Sequence, residues 1–444
     1  MYLWAPLLII RVKTKAKQKV SIVTLGCSKN LVDSENIVTQ LRASNIDADH
    51  NLGDVAYDIV IVNTCGFIEA AKQESIDTIL AYADQKEKGN LEKLYVTGCL
   101  SHRYREELET EIPEVDAFFG TMDLPALLNR FEADYKHELI GERITFTPPH
   151  YAYLKISEGC NRTCAFCAIP LMRGKHVSKP IEALVKETRG LAANGVKELI
   201  LIAQELTYYG LDLYRERNLP DLIRALCRIE GIEWIRLHYA YPSKFPIEVL
   251  EVMAEEGKVC NYLDMPLQHA SDSVLRAMRR QITNQEQLAL IREAREIVPE
   301  IALRTTMLVG FPAETARDFA HLCEFVETVR FDRLGVFTYS HEDGTQAHKF
   351  SDDVPPQVKE ERAETLMTIQ RTISEEKNED LIGSTLKVLI DRKEGGFYYG
   401  RSEYDSPEVD NEVIISAEHY LRVGDFVMAK ITGATEYDLI ANPL

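Results

Sequence analysis

Nine cysteines stand in the 444-residue chain, and three of them crowd into Cys160-Asn-Arg-Thr-Cys164-Ala-Phe-Cys167. Three thiolates this close together reach three irons of a 4Fe-4S cube and leave the fourth iron without a protein ligand. That open iron is the chemical point of the pattern, because it accepts a ligand from outside the chain. A closed structural zinc site wants four ligands. No fourth cysteine lies nearby, and His176 stays open by spacing as a fourth ligand.

Cys27, Cys65 and Cys99 are far apart in sequence but share one local grammar. Val20 to Leu25, Asp58 to Thr64 and Leu94 to Thr97 read as short buried strands, each followed by helical apolar spacing and each ending at a thiol. Strand and helix in alternation predict a doubly wound parallel sheet, whose strand ends converge on one crevice. Taken singly, each of these thiols also fits a small buried hydrophobe. Together at one crevice they form a second set able to hold a cube with its own vacant iron. Cys227, Cys260 and Cys323 sit in helical patterns without ligand spacing and read as core thiols.

The elements that must position these groups divide the chain into an extension over 1–18 and three domains over 19–133, 146–376 and 379–444. The charged stretch Asp134 to Arg143 and the pair Pro148-Pro149 read as a linker. Beyond it, candidate strands at Tyr153–Ser157, Glu198–Ala203, Trp234–His238, Tyr262–Pro266, Ala302–Val309 and Arg333–Tyr339 alternate with helical patterns. Six βα units in succession predict a partial (β/α) barrel rather than a second flat sheet. After a helix from Pro356 to Asp380, five short strands between turn residues predict a small closed β-barrel over the last domain.

Composition narrows the function classes. Hydrophobic residues make up 45% and charged residues 27% of the chain, the usage of a globular protein that folds throughout. Lys and Arg number 51 against 70 Asp and Glu, a formal charge of -19 that disfavours a nucleic-acid partner. An odd cysteine count in a chain this well cored points to a reducing compartment, the cytoplasm. The apolar run Tyr2 to Ile10 is too short for a membrane span, which needs roughly 20 residues. Basic residues follow it instead of preceding it, so it reads as a dispensable or mis-assigned start rather than a signal peptide.

At the end of the first strand of a (β/α) region, Cys-x-x-x-Cys-x-aromatic-Cys resembles the signature of the radical S-adenosylmethionine enzymes. The resemblance implies that Cys160, Cys164 and Cys167 hold a cluster whose open iron chelates S-adenosylmethionine, and that one electron then yields methionine and a 5'-deoxyadenosyl radical. Leu-Gly-Cys27-Ser-Lys-Asn-Leu-Val-Asp-Ser-Glu, Asn-Thr-Cys65-Gly-Phe-Ile and Thr-Gly-Cys99-Leu resemble the amino-terminal domain of the methylthiotransferases. That family implies a second 4Fe-4S cluster on Cys27, Cys65 and Cys99, with S-adenosylmethionine serving both as methyl donor and as radical source. Phe166, Arg173, Gln204, Glu205 and Glu314 are the expected S-adenosylmethionine contacts; the last three end the second and fifth barrel strands, where barrel sites are built. The family's usual glycine-rich motif after the second strand is absent. Glu314 equally fits a charge at a helix start, and Arg173 equally fits a solvated turn.

The substrate must be read from elsewhere. The last domain resembles a TRAM module, often an RNA binder, which should then be basic. Residues 381–444 instead carry six basic and eleven acidic residues, a net of -5. Glu403, Asp405, Glu408, Asp410 and Glu412 suit a strongly basic protein partner, and also fit a solvated acidic loop. This stretch, Ala168 to Pro180, His238 to Pro242 and Asp264 to Ser271 resemble the RimO-type enzymes more than the tRNA-modifying MiaB type. The RimO type implies methylthiolation of the β-carbon of an aspartate in ribosomal protein S-twelve, with an electron donor of flavodoxin or ferredoxin kind. The alternatives are the tRNA adenosine enzyme and a noncatalytic metal-cluster scaffold.

Overall fold

The computed structural model describes residues 18–51, 53, 57–136, 139 and 142–444. The apolar run Tyr2 to Ile10, and the extension of which it is part up to residue 17, lie outside them.

The first unit runs β1 (Lys19–Thr24), α1 (Ser28–Ala43), β2 (Asp47–His50), β3 (Ile59–Thr64), α2 (Glu69–Glu87), β4 (Lys93–Gly98), α3 (Cys99–Arg103), α4 (Arg105–Glu111), β5 (Ala117–Phe118) and α5 (Leu124–Asn129). Its strands pair in parallel in the order β2-β1-β3-β4-β5. Every residue of β3 is buried. Ile59 and Ile61 face one apolar layer with α1 and α5, whereas Val60 and Val62 face another with α2 and α4. A strand covered on both faces reads as a continuous apolar run, as this one does. The order reverses between β1 and β3, the switch point at which open α/β sheets bind ligands.

The middle unit opens with β6 (Tyr151–Lys155) and a short antiparallel pair, β7 (Ser157–Glu158) and β8 (Val177–Ser178), with α6 (Ile169–Arg173) in the loop between them. It continues through α7 (Ile181–Ala193), β9 (Glu198–Ile202), α8 (Leu219–Cys227), β10 (Trp234–Leu237), α9 (Glu248–Glu255), β11 (Val259–Asp264), α10 (Asp272–Ala277), α11 (Asn284–Ile297), β12 (Ala302–Val309), α12 (Ala316–Val329) and β13 (Arg333–Thr338). The six long strands form one parallel sheet in the order β13-β12-β11-β10-β9-β6, an open (β/α)6 barrel. Two strands begin earlier than expected. The first starts directly after Pro149-His150, and the polar Lys258 and Asn261 had obscured the start of β11.

Alternate residues of these strands face outward onto the helices, among them Leu154, Leu199, Leu201, Ile235 and Leu263. The inner face carries large polar side chains and is closed at both ends by the other two units. On one side α1 lays Leu31 and Val32 against Tyr153, Ile200 and Ile202. Opposite, α13 (Pro356–Asp380) leads into a closed barrel of β14 (Thr385–Glu394), β15 (Phe397–Arg401), β16 (Val413–Ser416), β17 (Phe426–Ala434) and β18 (Leu439–Pro443), in the order β14-β15-β16-β18-β17. Leu389, Tyr404 and Phe426 of this barrel pack on Trp234, Cys260 and Tyr262.

This docking corrects the expected role of the acidic run. Asp405 is paired with Arg333, Asp410 with Arg304 at 3.2 Å and the Tyr262 hydroxyl at 2.7 Å, and Glu412 with Arg392. The Asn261 amide donates to Glu403, and the Tyr151 hydroxyl donates to Glu408 at 3.5 Å. Asp405 and Asp410 thus neutralise arginines of the barrel interior and are not open to a basic partner, whereas Glu412 pairs with Arg392 of its own domain and Glu408 stays exposed. A net-charge count cannot see this, because it does not say which carboxylates have arginines opposite them. Arg143, at the end of the stretch read as a linker, is likewise buried and bound to Glu35 and Glu187.

Arg401 is the centre of the floor. Its Nη2 lies 2.8 Å from Glu198 and its Nε 2.6 Å from Asp391, while Glu198 also accepts from Arg236 at 2.8 Å. Replacing Arg401 with Met removes the cation shared by Glu198 and Asp391, which Arg236 and His150 only partly cover, and costs about 3 kcal/mol. The expected result is a lowered melting temperature with early proteolysis of the last domain, and calorimetry with limited trypsin treatment checks it.

Candidate metal and cofactor site

Each expected ligand of the first unit leaves the sheet at the same end. Thr24 lies opposite Asn63 and Thr64 opposite Gly98 in the ladder, so Cys27, Cys65 and Cys99 emerge side by side at the switch point. Gly26 and Gly98 have φ of 87° and 102°, a region that only glycine enters freely, and each turns the chain sharply before its cysteine. A Cβ on Gly26 would lie 2.8 Å from the Cys65 sulfur, which measures how tightly the thiols are gathered. Cys65 and Cys99 are buried and Cys27 is exposed. Burial pushes the Cys99 thiol up to about 12, against the pull of the neighbouring Arg173 guanidinium.

Cys160, Cys164 and Cys167 occupy the loop bracketed by β7 and β8. Main-chain hydrogen bonds hold this loop: Cys160 donates to Gly174, Ala165 to Met278, and Ala347 to Ala165. Burial raises Cys160 to about 11 and Cys167 to about 12. Arg280 Nη1 lies 3.4 Å from the Cys164 sulfur, and the Arg162 amide donates to the Cys160 sulfur at 3.4 Å. The Arg162 guanidinium is sandwiched between Tyr208 and Tyr241, 3.9 and 3.8 Å from their centroids, and pairs with Glu205 at 3.4 Å. His176 directs Nε2 to the Ser178 hydroxyl at 3.1 Å. Among the described residues, no group of three or more His, Cys, Asp or Glu side chains converges on a single metal ion.

A side-chain network links the Cys99 end of the first set to Arg173, on the loop that carries the second set. Arg173 spans Glu158 and Asp33, both at 3.0 Å, and donates to Asn30, whose Oδ1 lies 3.9 Å from the Cys99 sulfur. Gln204 donates to Glu158 at 2.6 Å, and Lys155 binds both Glu158 and Asp33. Burial would raise the Glu158 carboxyl, but Lys155 and Arg173 hold it down to about 2. Arg173 is thus buried and directed to the first unit's thiols, not a solvated turn.

The remaining expected contacts are placed as follows. Glu205 accepts from the Thr207 amide at 2.8 Å and hydroxyl at 2.6 Å. Glu314 accepts from the amides of Gly310 and Phe311 and pairs with Arg362 at 2.9 Å, so it closes its own loop, and the helix behind it is capped by Thr315 and Asp318 instead. Phe166 packs with Ala165, Phe311 and Tyr339. The sequence reading missed Glu158, Arg162, Arg280, Tyr241, Asn30 and Asp33. Asn30 and Asp33 are three apart on α1, a same-face spacing that offered a signal; for Arg280, more than a hundred residues from its thiol, there was none.

The donor set fits iron-sulfur cubes: every candidate ligand is a thiol, and arginines stand beside both sets where a cluster and its thiolates bring negative charge. Raised thiol pKa values mean that metal binding must displace protons.

His269, behind this site, is a neutral ring held by burial at about 3, with Nδ1 accepting from the Ser271 amide at 2.9 Å. Its 3.9 Å approach to Glu314 is therefore not an ion pair. Below its ordinary value of 6.5 the unfolded chain takes up a proton that the folded ring refuses, so stability falls as pH drops from 6.5 toward 3, by about 1.4 kcal/mol per pH unit for this residue. His269→Gln is expected to reduce that slope by one proton, read from urea midpoints across the range.

Fold and site together define a radical S-adenosylmethionine core set between a thiol-bearing α/β unit and a small β-barrel. Residues 154–326 match the Radical SAM superfamily, 19–120 match uncharacterized protein family UPF0004, and 382–444 match the TRAM domain. The ribosomal protein uS12 methylthiotransferase RimO of Cytophaga hutchinsonii is 60% identical over 97% of this chain and 99% of its own, and that of Bacteroides fragilis 52% over 95% and 98%. Among solved structures, the radical S-adenosylmethionine methyltransferase TsrM of Kitasatospora setae shares the fold at a TM-score of 0.54 and 12% identity, covering 72% of each chain. The chain belongs to the RimO family of ribosomal protein uS12 methylthiotransferases. A radical S-adenosylmethionine enzyme of this family uses a 4Fe-4S cluster and S-adenosylmethionine. Among the described residues no helix is long and apolar enough to cross a membrane.

Proposed function

We propose that this chain adds a methylthio group to the β-carbon of an aspartate in ribosomal protein uS12, using two 4Fe-4S clusters. Cys160, Cys164 and Cys167 hold one, Cys27, Cys65 and Cys99 the other. The observation that carries this reading is the placing of one three-thiol set at the switch point of one sheet and of the other in the first loop of the second sheet, with Arg173 of that loop bound to Asn30 beside Cys99. When bound, the clusters and S-adenosylmethionine supply one-electron cleavage of the sulfonium and a transferable methylthio group, chemistry that no side-chain base of ordinary pKa provides at an unactivated C–H bond.

The chain's own residues supply geometry and shelter. Arg173 and Asn30 tie the loop of the radical unit to α1, so the spacing between the two thiol sets is fixed by side chains that are themselves buried. Arg280 presents a cation beside Cys164, suited to the carboxylate of S-adenosylmethionine, whereas the Arg162 guanidinium is already paired with Glu205. Leu31, Val32, Tyr153 and Ile202 keep water from the crevice floor. An electron donor of flavodoxin or ferredoxin kind supplies the reducing equivalents.

The test is anaerobic incubation of reconstituted enzyme with uS12, S-adenosylmethionine and reductant, followed by mass spectrometry. The expected product carries SCH3 in place of one aspartate hydrogen. Thiomethylated tRNA with uS12 unmodified would overturn the assignment.

A further inference from the structure

Lys29 stands outside every network described above. It lies on the first turn of α1, two residues beyond Cys27 and next to Asn30, and is only 7% exposed. The other cations of this interface are paired: Lys155 with Asp33 and Glu158, Arg173 with the same two. Among the described residues no carboxylate lies within ion-pair distance of the Lys29 Nζ. Its contact is the face of Tyr239, whose ring centroid is 3.0 Å away.

Tyr239 is held for this contact. Its φ is 64°, a left-handed conformation unusual for an aromatic residue, and its amide donates to Asp264 at 3.0 Å. An aromatic face offsets part of the cost of enclosing an ammonium but gives it no acceptor. A nearly buried cation supplied with a π face and no anion is half of a carboxylate site.

Resting on the function proposed above, we infer that Lys29 receives the side-chain carboxylate of the target aspartate and so presents the β-carbon to the crevice between the two thiol sets. The methionyl carboxylate of S-adenosylmethionine is the other source of this chemistry. Position favours the aspartate. Lys29 is on the Cys27 side of the crevice, whereas Arg280, with no carboxylate partner among the described residues, already stands at the Cys164 side. A lysine here also favours aspartate over asparagine, since an ammonium donates to either oxygen but gains charge assistance only from the carboxylate.

The experiment is a double-mutant cycle on the reconstituted full chain. Binding is measured for a uS12 peptide carrying the target aspartate and for the same peptide with asparagine, against wild type, Lys29→Met and Lys29→Arg. Wild type is expected to prefer the aspartate peptide by roughly tenfold or more, Lys29→Met to lose that preference, and Lys29→Arg to keep part of it. S-adenosylmethionine affinity is expected to be the same in all three. Iron content confirms that each variant is folded, and Lys29→Gln replaces the Met variant if that one aggregates. A preference unchanged by Lys29→Met, in an enzyme that still modifies the aspartate peptide, overturns the inference and leaves the function standing. A loss confined to S-adenosylmethionine affinity overturns it in favour of the other carboxylate. Wild type that neither binds nor modifies the peptide overturns both readings.

Discussion

Alanine in place of Cys160, Cys164 or Cys167 is expected to abolish both 5'-deoxyadenosine release and methylthio transfer, to the level of a control without enzyme. Each of these thiols is one of the three proposed ligands on a loop whose main chain is pinned at Gly174, Met278 and Ala347, which keeps neighbouring groups from swinging in to replace it. The polar side chains in contact with Cys164 are Arg280 and Tyr241, a guanidinium that cannot bind iron and a phenol that burial holds protonated. Anaerobic chromatography of 5'-deoxyadenosine checks this. Retained cleavage in all three variants would remove the loop from the chemistry.

Alanine at Cys27, Cys65 or Cys99 is expected to give a different phenotype of similar size. These thiols hang on the other sheet, and the loop of the second set keeps its anchors when they are lost. The variants are expected to release 5'-deoxyadenosine from S-adenosylmethionine yet form no methylthiolated uS12, again to background by mass spectrometry. Asn30 and Arg173 lie beside Cys99, so some disturbance of the crevice is expected. A variant that still forms full product would mean that the sulfur does not come by way of these residues.

The positions of the thiols were legible for two reasons, a local motif for Cys160, Cys164 and Cys167 and strand-end topology for Cys27, Cys65 and Cys99. A thiol at the end of a short apolar run needs only the strand to be recognised, and parallel topology then brings the ends together. The partial barrel and the final five-stranded barrel were legible through repeated strand and helix spacing. β2, with the sequence Asp-Ala-Asp-His, and the two-residue β5 carry no such pattern and exist only because a neighbouring strand offers them a ladder. Arg173 could not be placed from sequence, since Asp33 and Asn30 lie about 140 positions away on another unit. The acidic run of the last domain looked like a docking face because its partners, Arg304 and Arg333, sit in barrel strands where periodicity does not reveal that a charge points inward.

Iron quantitation on the anaerobically reconstituted full chain tests most directly whether two three-thiol sets each hold a cube. Two cubes require about eight irons per chain, falling to about four when Cys27, Cys65 and Cys99 are all replaced by alanine. About four irons in the wild type, unchanged by that triple replacement, would contradict it.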